Sequence, residues 1–110
     1  MVIKYDNTIQ RTNGKSQFIN DIFVSSDKSF DIALCNLNGT DDEFVNELSD
    51  MYYFIKSGTG KIKIDDIEYE IKENDFIIIE KNKSSLISGN LTYLVISMPA
   101  FDINSETIIN

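Results

Sequence analysis

Met51-Tyr52-Tyr53-Phe54-Ile55-Lys56-Ser57-Gly58-Thr59-Gly60-Lys61-Ile62-Lys63-Ile64-Asp65-Asp66-Ile67-Glu68-Tyr69-Glu70-Ile71 decides the fold class. Residues 51–56 are aromatic and β-branched, a composition that fits a pleated surface. Ser57-Gly58-Thr59-Gly60 closes that run. Residues 61–64 then alternate lysine with isoleucine, the pattern of a strand with one wet face. Asp65-Asp66 supplies a tight turn, and residues 67–71 alternate again, so the segment predicts a hairpin.

Further out, the same signals repeat. Residues 18–24 and 30–37 read as strands, the second ended by an Asn38-Gly39 turn. Residues 40–50 are acidic and irregular, a loop or a short helical turn. Glu73-Asn74-Asp75 turns the chain into Phe76-Ile77-Ile78-Ile79, an unbroken apolar run expected to be buried on both faces. Residues 80–85 read as polar loop, Ser88-Gly89-Asn90 as a turn, and residues 91–98 as a last strand stopped by Pro99, the single proline. The tail, residues 102–110, is expected to pack on the barrel or fray. Seven or more short strands without an internal repeat or linker predict one all-β domain, a sandwich or barrel, over residues 1–110.

Composition limits the function. Eighteen acidic against ten basic residues give a formal net charge of −8, which repels phosphate backbones and anionic membranes. Nucleic-acid and membrane partners are therefore not expected. No apolar stretch approaches the roughly 20 residues of a membrane span, and residues 1–10 do not resemble a secretory signal. The lone Cys35 makes no internal disulfide, which fits a reducing, cytoplasmic setting. The chain has no histidine, so a histidine base, nucleophile activator or metal ligand is ruled out.

The stretch from Gly39 to Asp102 resembles the cupin family, whose members are small double-sheet β-barrels of jelly-roll type, the double-stranded β-helix. Gly39 and Gly58 sit at the glycines that bound the first cupin motif. Asn74-Asp75 stands at the opening of the second motif, and Gly89-Asn90 at its close. Tyr52-Tyr53-Phe54-Ile55-Lys56-Ser57-Gly58-Thr59-Gly60 is similar to the strand and turn common in the family, and residues 95–102 to the close of many one-domain members. Spacing then places Val45, Glu47, Met51 and Ser85 at the positions of the family's metal ligands, while Glu80 and Asn82 replace the motif's proline and glycine. Those four cannot hold a transition metal, which needs several converging nitrogen and oxygen donors. The resemblance thus implies a cupin without metal or other cofactor. Metal-free sugar-nucleotide epimerases and ketoisomerases of this fold use a histidine base, and none exists here.

The candidate site residues follow from that frame. Val45 and Met51 would fill the core or wall a pocket with apolar surface. Glu47 would accept hydrogen bonds from a ligand or act as a base, unless it is a solvated carboxylate like its neighbours. Tyr53 shares strand parity with Met51, so both face the same way, with a ring to stack and a hydroxyl to donate. Tyr93 could line the pocket from the last strand. Ser85 would place a hydroxyl inside the barrel. Arg11, the only arginine, is the best candidate to clamp an anion. Cys35 reads as a small buried apolar residue. The runs Asp41-Asp42-Glu43 and Asp65-Asp66 lack calcium-loop spacing and read as solvated turns.

Three functions compete on this reading. The first is metal-independent binding, sensing or sequestering of a small polar ligand such as a sugar, nucleotide or nucleotide-sugar, without turnover. The second is an isomerase, epimerase or lyase with Tyr53 and Glu47 as acid and base. The third is a non-catalytic, homodimeric interaction module with a filled barrel.

Overall fold

A computed structural model describes residues 1–109. Nine strands run β1 (Gln10–Asn13), β2 (Gln17–Val24), β3 (Asp31–Thr40), β4 (Glu43–Asn46), β5 (Asp50–Ile64), β6 (Ile67–Lys72), β7 (Phe76–Ile79), β8 (Ser84–Met98) and β9 (Glu106–Ile109). All pairings are antiparallel. β5 and β8, each 15 residues long, pair along nearly their whole length. β8 carries β3 and β4 on its other side; β5 carries β7 and β6. One half of the β5–β8 pair therefore belongs to a layer β1-β2-β3-β8-β5-β7. The other half belongs to a layer β9-β4-β8-β5-β6. Two layers sharing two long bent strands make the expected jelly-roll barrel.

The corner where β5 and β8 pass between layers is built from glycine. Gly60 pairs with Gly89, and Gly39 pairs with Gly89 from the other side. Gly58 has φ +94°, and a Cβ there would lie 1.9 Å from the Asn90 carbonyl oxygen. β5 also carries a bulge between Ile55 and Ser57, which adds bend and twist at the same place. Residues 57–60 and 88–90, expected as turns, are thus the interior of two continuous strands. Glycine marks them because backbones meet there, not because the chain reverses. The Asn38-Gly39 turn is likewise absent, since β3 continues to Thr40.

The hairpin of residues 61–71 forms as expected. Ile64 pairs with Ile67, and Asp65 takes the left-handed conformation at φ 50°. The acidic segment 40–50 contains a strand, β4, which pairs with β9 in the tail. The tail thus packs on the barrel; Asn110 lies outside the described residues. One core holds the barrel together, with Ile55, Ile62, Leu91 and Tyr93 almost wholly enclosed.

β7 departs from expectation. Ile77 and Ile79 are buried, but Phe76 is 78% and Ile78 62% exposed. β7 pairs only with β5, at the rim of its layer, and its outer face is bare. Across that face run two apolar rows, Ile78–Tyr52–Ile96 and Phe76–Phe54–Leu94, with Phe54 and Phe76 rings 4.8 Å apart. No helix among the described residues is long and apolar enough to cross a membrane.

Candidate functional site

Along the first half of β5, alternation buries Met51, Tyr53 and Ile55 and turns Tyr52 and Phe54 outward. The last third of β8 does the same for Tyr93, Val95 and Ser97. Because Tyr53 pairs with Val95 and Ile55 with Tyr93, the two tyrosines become diagonal neighbours. Their rings stack with centroids 5.1 Å apart and planes at 27°. Together they form an aromatic wall of a cavity of about 180 Å³ inside the barrel.

The wall is braced from behind. The buried Gln17 side chain donates a hydrogen bond to the Tyr93 hydroxyl at 2.6 Å and accepts one from the Asn13 amide at 2.7 Å. Tyr53 is 5% exposed, lines the cavity, and its hydroxyl has no hydrogen-bond partner among the described residues. Burial raises the pKa of both phenols, so each stays a neutral hydroxyl at physiological pH. Cys35, across the ladder from Tyr93, is also enclosed beside the cavity; burial pushes its thiol up to about 12, which makes it inert.

The cavity's lining is also rich in carboxylates. Asp21, Asp31, Asp41, Asp42 and Glu106 all border the cavity, against one cation, Arg11. Arg11 is already engaged: its guanidinium grips Asp21 through two bonds of 2.7 and 3.1 Å. Asp31 accepts from the Phe101 amide at 2.8 Å. Asp41, Asp42 and Glu106 have no cationic partner among the described residues. Burial, then repulsion from Asp42, raises the pKa of Asp41, although the Asp42 amide bonded to it works the other way. Burial raises Glu106, and the charges of Asp41 and Asp42 add to it.

Three of the expected site residues, Arg11, Tyr53 and Tyr93, border the cavity together with Met51. Two do not. Glu47 is exposed just beyond β4, where its amide donates to the Ser105 carbonyl at 2.9 Å. Alternation in β4 buries Phe44 and Asn46 instead, so the positions expected inside, Val45 and Glu47, are out of register by one residue. A slip of one turns every side chain to the other face. Ser85 is buried but does not border the cavity; its ladder partner Phe44 does. Asp41 and Asp42, read from sequence as solvated turn residues, both border the cavity; Asp42 is exposed as that reading expects, while Asp41 is half-buried. Glu106 was hidden in the tail, although the β-branched run Thr107-Ile108-Ile109 beside it is a strand signal.

The raised carboxylates make a prediction whose sign can be worked out. A folded-state pKa above the unfolded value stabilises the fold fully below the unfolded value, about 3.9 for aspartate. That contribution is lost as pH rises through the folded pKa. At pH 7.5 ionised Asp41 therefore burdens the fold. Asp41→Asn is expected to raise Tm at pH 7.5, with the gain shrinking toward zero near pH 4. Thermal unfolding across that range checks it, with exposed Asp66→Asn as the surface-charge control. A gain independent of pH, or equal in the control, contradicts the assignment.

Among the described residues, no three histidine, cysteine or acidic side chains are placed to hold a metal ion. No protein-family model and no curated protein sequence matches the chain. Solved structures do match. A histidine-to-glutamine variant of Streptomyces Pac13 with uridine superposes at TM-score 0.89 and 17% identity, covering 99% of this chain and 90% of its own. The Pac13 barrel is that of a unique nucleoside dehydratase. KdgF from Halomonas matches at TM-score 0.84 and 6% identity over 93% of this chain and 96% of its own. Oxalate decarboxylase from Bacillus subtilis matches at TM-score 0.82 and 13% identity, over 96% of this chain but 31% of the larger enzyme. At these identities the likeness establishes the fold: the chain is a cupin-type barrel.

Proposed function

We propose that the barrel cavity binds one small hydroxylated ring molecule, of the size of a nucleoside or a single sugar, through side chains alone. The observation that carries this reading is the stacked Tyr53–Tyr93 wall sharing a cavity with the carboxylates Asp41, Asp42 and Glu106. Aromatic faces stack on flat rings and on the C–H faces of sugars. Carboxylates are acceptors only, suited to ligand hydroxyls. The cavity, about 180 Å³, lies below the roughly 300 Å³ at which drug-sized pockets begin. That favours a nucleoside or a single sugar over a nucleotide-sugar, and the excess of carboxylates disfavours a phosphate. Pac13 structures with uridine are consistent with a ligand of this class. Thermal unfolding tests the reading: a bound ligand at 100 times its Kd adds about 2.7 kcal/mol. Uridine, cytidine, adenosine, glucose or glucosamine should raise Tm, and Tyr53→Ala should abolish the rise. No rise with any of the five contradicts it.

One observation favours turnover as a second reading. Carboxyl groups with raised pKa beside a partnerless phenol are the equipment of proton transfer. Pac13, a dehydratase, has been solved with uridine as histidine-to-glutamine and tyrosine-to-phenylalanine variants. Here tyrosines are present and histidine is not, so Asp41 or Glu106 would take the role of base that the exposed Glu47 cannot fill. Proton exchange on a bound ligand that persists in both Asp41→Asn and Glu106→Gln sinks this reading.

We also propose that a second copy covers the outer face of β7, β5 and β8. The two apolar rows there carry no charge, and a flat uncharged face is complementary to itself under a twofold axis. Ile32 and Leu34 of β3, paired with Ile96 and Leu94, extend both rows onto a fourth strand. Sedimentation should give a dimer mass, and Phe76→Glu with Ile78→Lys should give a monomer. A monomer from the unmodified chain contradicts the proposal.

A further inference from the structure

Three anionic side chains that border one cavity have no cationic partner among the described residues. Asp21 is neutralised by Arg11 and Asp31 is held by a backbone amide, but Asp41, Asp42 and Glu106, which border the same cavity, make no ion pair among the described residues. Asp41 and Asp42 lie between β3 and β4, and Glu106 opens β9, opposite Asn46 at the far end of β4, so the three border the same cavity from separate places. Their repulsion is a standing cost that solvent only partly screens. A second, independent feature points to a ligand. Tyr53 is 5% exposed and borders the cavity, and its hydroxyl bonds none of the described residues. That leaves a neutral donor and acceptor in the wall free to bond a ligand.

We propose that the ligand of this cavity is cationic: a molecule of nucleoside or single-sugar size bearing a protonated amine, held between the Tyr53–Tyr93 wall and the carboxylates of Asp41, Asp42 and Glu106. This rests on the binding reading above and narrows its chemical class. An ammonium group relieves the carboxylate repulsion and is attracted to aromatic faces. A bare metal ion does not fit the same place, because no three of the donors converge on one point. Carboxylates spread around a cavity suit an organic cation, whose N–H groups point in several directions while its ring stacks. A phosphate on the ligand would meet the same three carboxylates, and Arg11 has its fork occupied by Asp21.

Matched ligands test the proposal by calorimetry at low salt. Glucose, glucosamine and glucose 6-phosphate form one series. Uridine, 5′-amino-5′-deoxyuridine and uridine 5′-monophosphate form the other. Within at least one series the amine should bind tenfold or more tightly than its neutral parent, and the phosphate more weakly than the parent. The preference should shrink at 0.5 M salt. Asp41→Asn with Glu106→Gln should remove the preference for the amine over its parent; both changes keep shape, and circular dichroism checks the fold. Neutral parents that bind as well as their amines overturn the cationic class and leave the binding reading standing. No binding by any of the six overturns both.

Discussion

Gly58→Ala is expected to cost more than about 4 kcal/mol, a loss rare for a single substitution and a large part of the 5–15 kcal/mol that stabilises an ordinary domain. Two causes combine. At φ +94° any L residue is strained, by about 1–3 kcal/mol. The added Cβ would also lie 1.9 Å from the Asn90 carbonyl oxygen and 3.0 Å from the Leu91 Cα. Those are backbone atoms in the ladder that joins β5 to β8, so relief requires the two strands to separate at the corner of the barrel. Gly14→Ala isolates the first cause: its φ is +64°, but nothing lies within 4 Å of the new atom. It should cost only about 1–2 kcal/mol. Urea unfolding of both variants measures the difference. Equal losses would mean that conformational strain alone, and not the crossing of the strands, makes glycine necessary.

Tyr93→Ala is expected to cost about 3–5 kcal/mol, the range of large aromatic truncations in a core. Tyr93 is 1% exposed, so the truncation removes nearly a full ring of contacts from the barrel interior. It also removes the stacking partner of Tyr53 and leaves the Gln17 amide without its acceptor. Tyr93→Phe separates these effects. It keeps the ring and should cost about 1–3 kcal/mol, the price of one orphaned buried donor. The same pair reports on the site. With the ring retained, the aromatic wall stands and ligand stabilisation should survive in Tyr93→Phe. In Tyr93→Ala it should vanish even at temperatures where the variant is folded. Ligand stabilisation that survives the alanine substitution would place the binding surface elsewhere.

How far the sequence reached depended on whether a signal was local. Alternation in residues 61–71 fixed a hairpin because register and turn lie within eleven positions. Parity from Met51 to Tyr53 correctly put both on the cavity side, since strand alternation is rigid over two residues. Other features were set by distant chain. Phe76-Ile77-Ile78-Ile79 reads as buried on both faces, yet the fold leaves β7 at a rim with its outer side bare. Gly58, Gly60 and Gly89 read as turns because sequence shows a glycine but not the strand that crosses it. Asp41 reads as solvated, yet it is half-buried on the same cavity as Glu106, more than sixty residues later in the chain. The spacing of a family motif put Val45 and Glu47 inside, whereas β4 buries Phe44 and Asn46, one residue out of step. The polar half of the site was therefore illegible for the same reason that part of the fold was: it is made by contacts between strands far apart in sequence.

The central claim is that this cavity, and not an edge or the outer apolar face, receives a small ring molecule. A nitrogen–proton NMR titration with uridine, cytidine, adenosine, glucose and glucosamine tests it most directly. The account predicts that at least one of them shifts the amides of Ala33, Cys35, Tyr53, Tyr93 and Val95 in a saturable manner, while Lys61, Glu68 and Ile78 stay still. Shifts confined to Tyr52, Phe54 and Ile78 on the outer face, or no shift with any of the five, would contradict it.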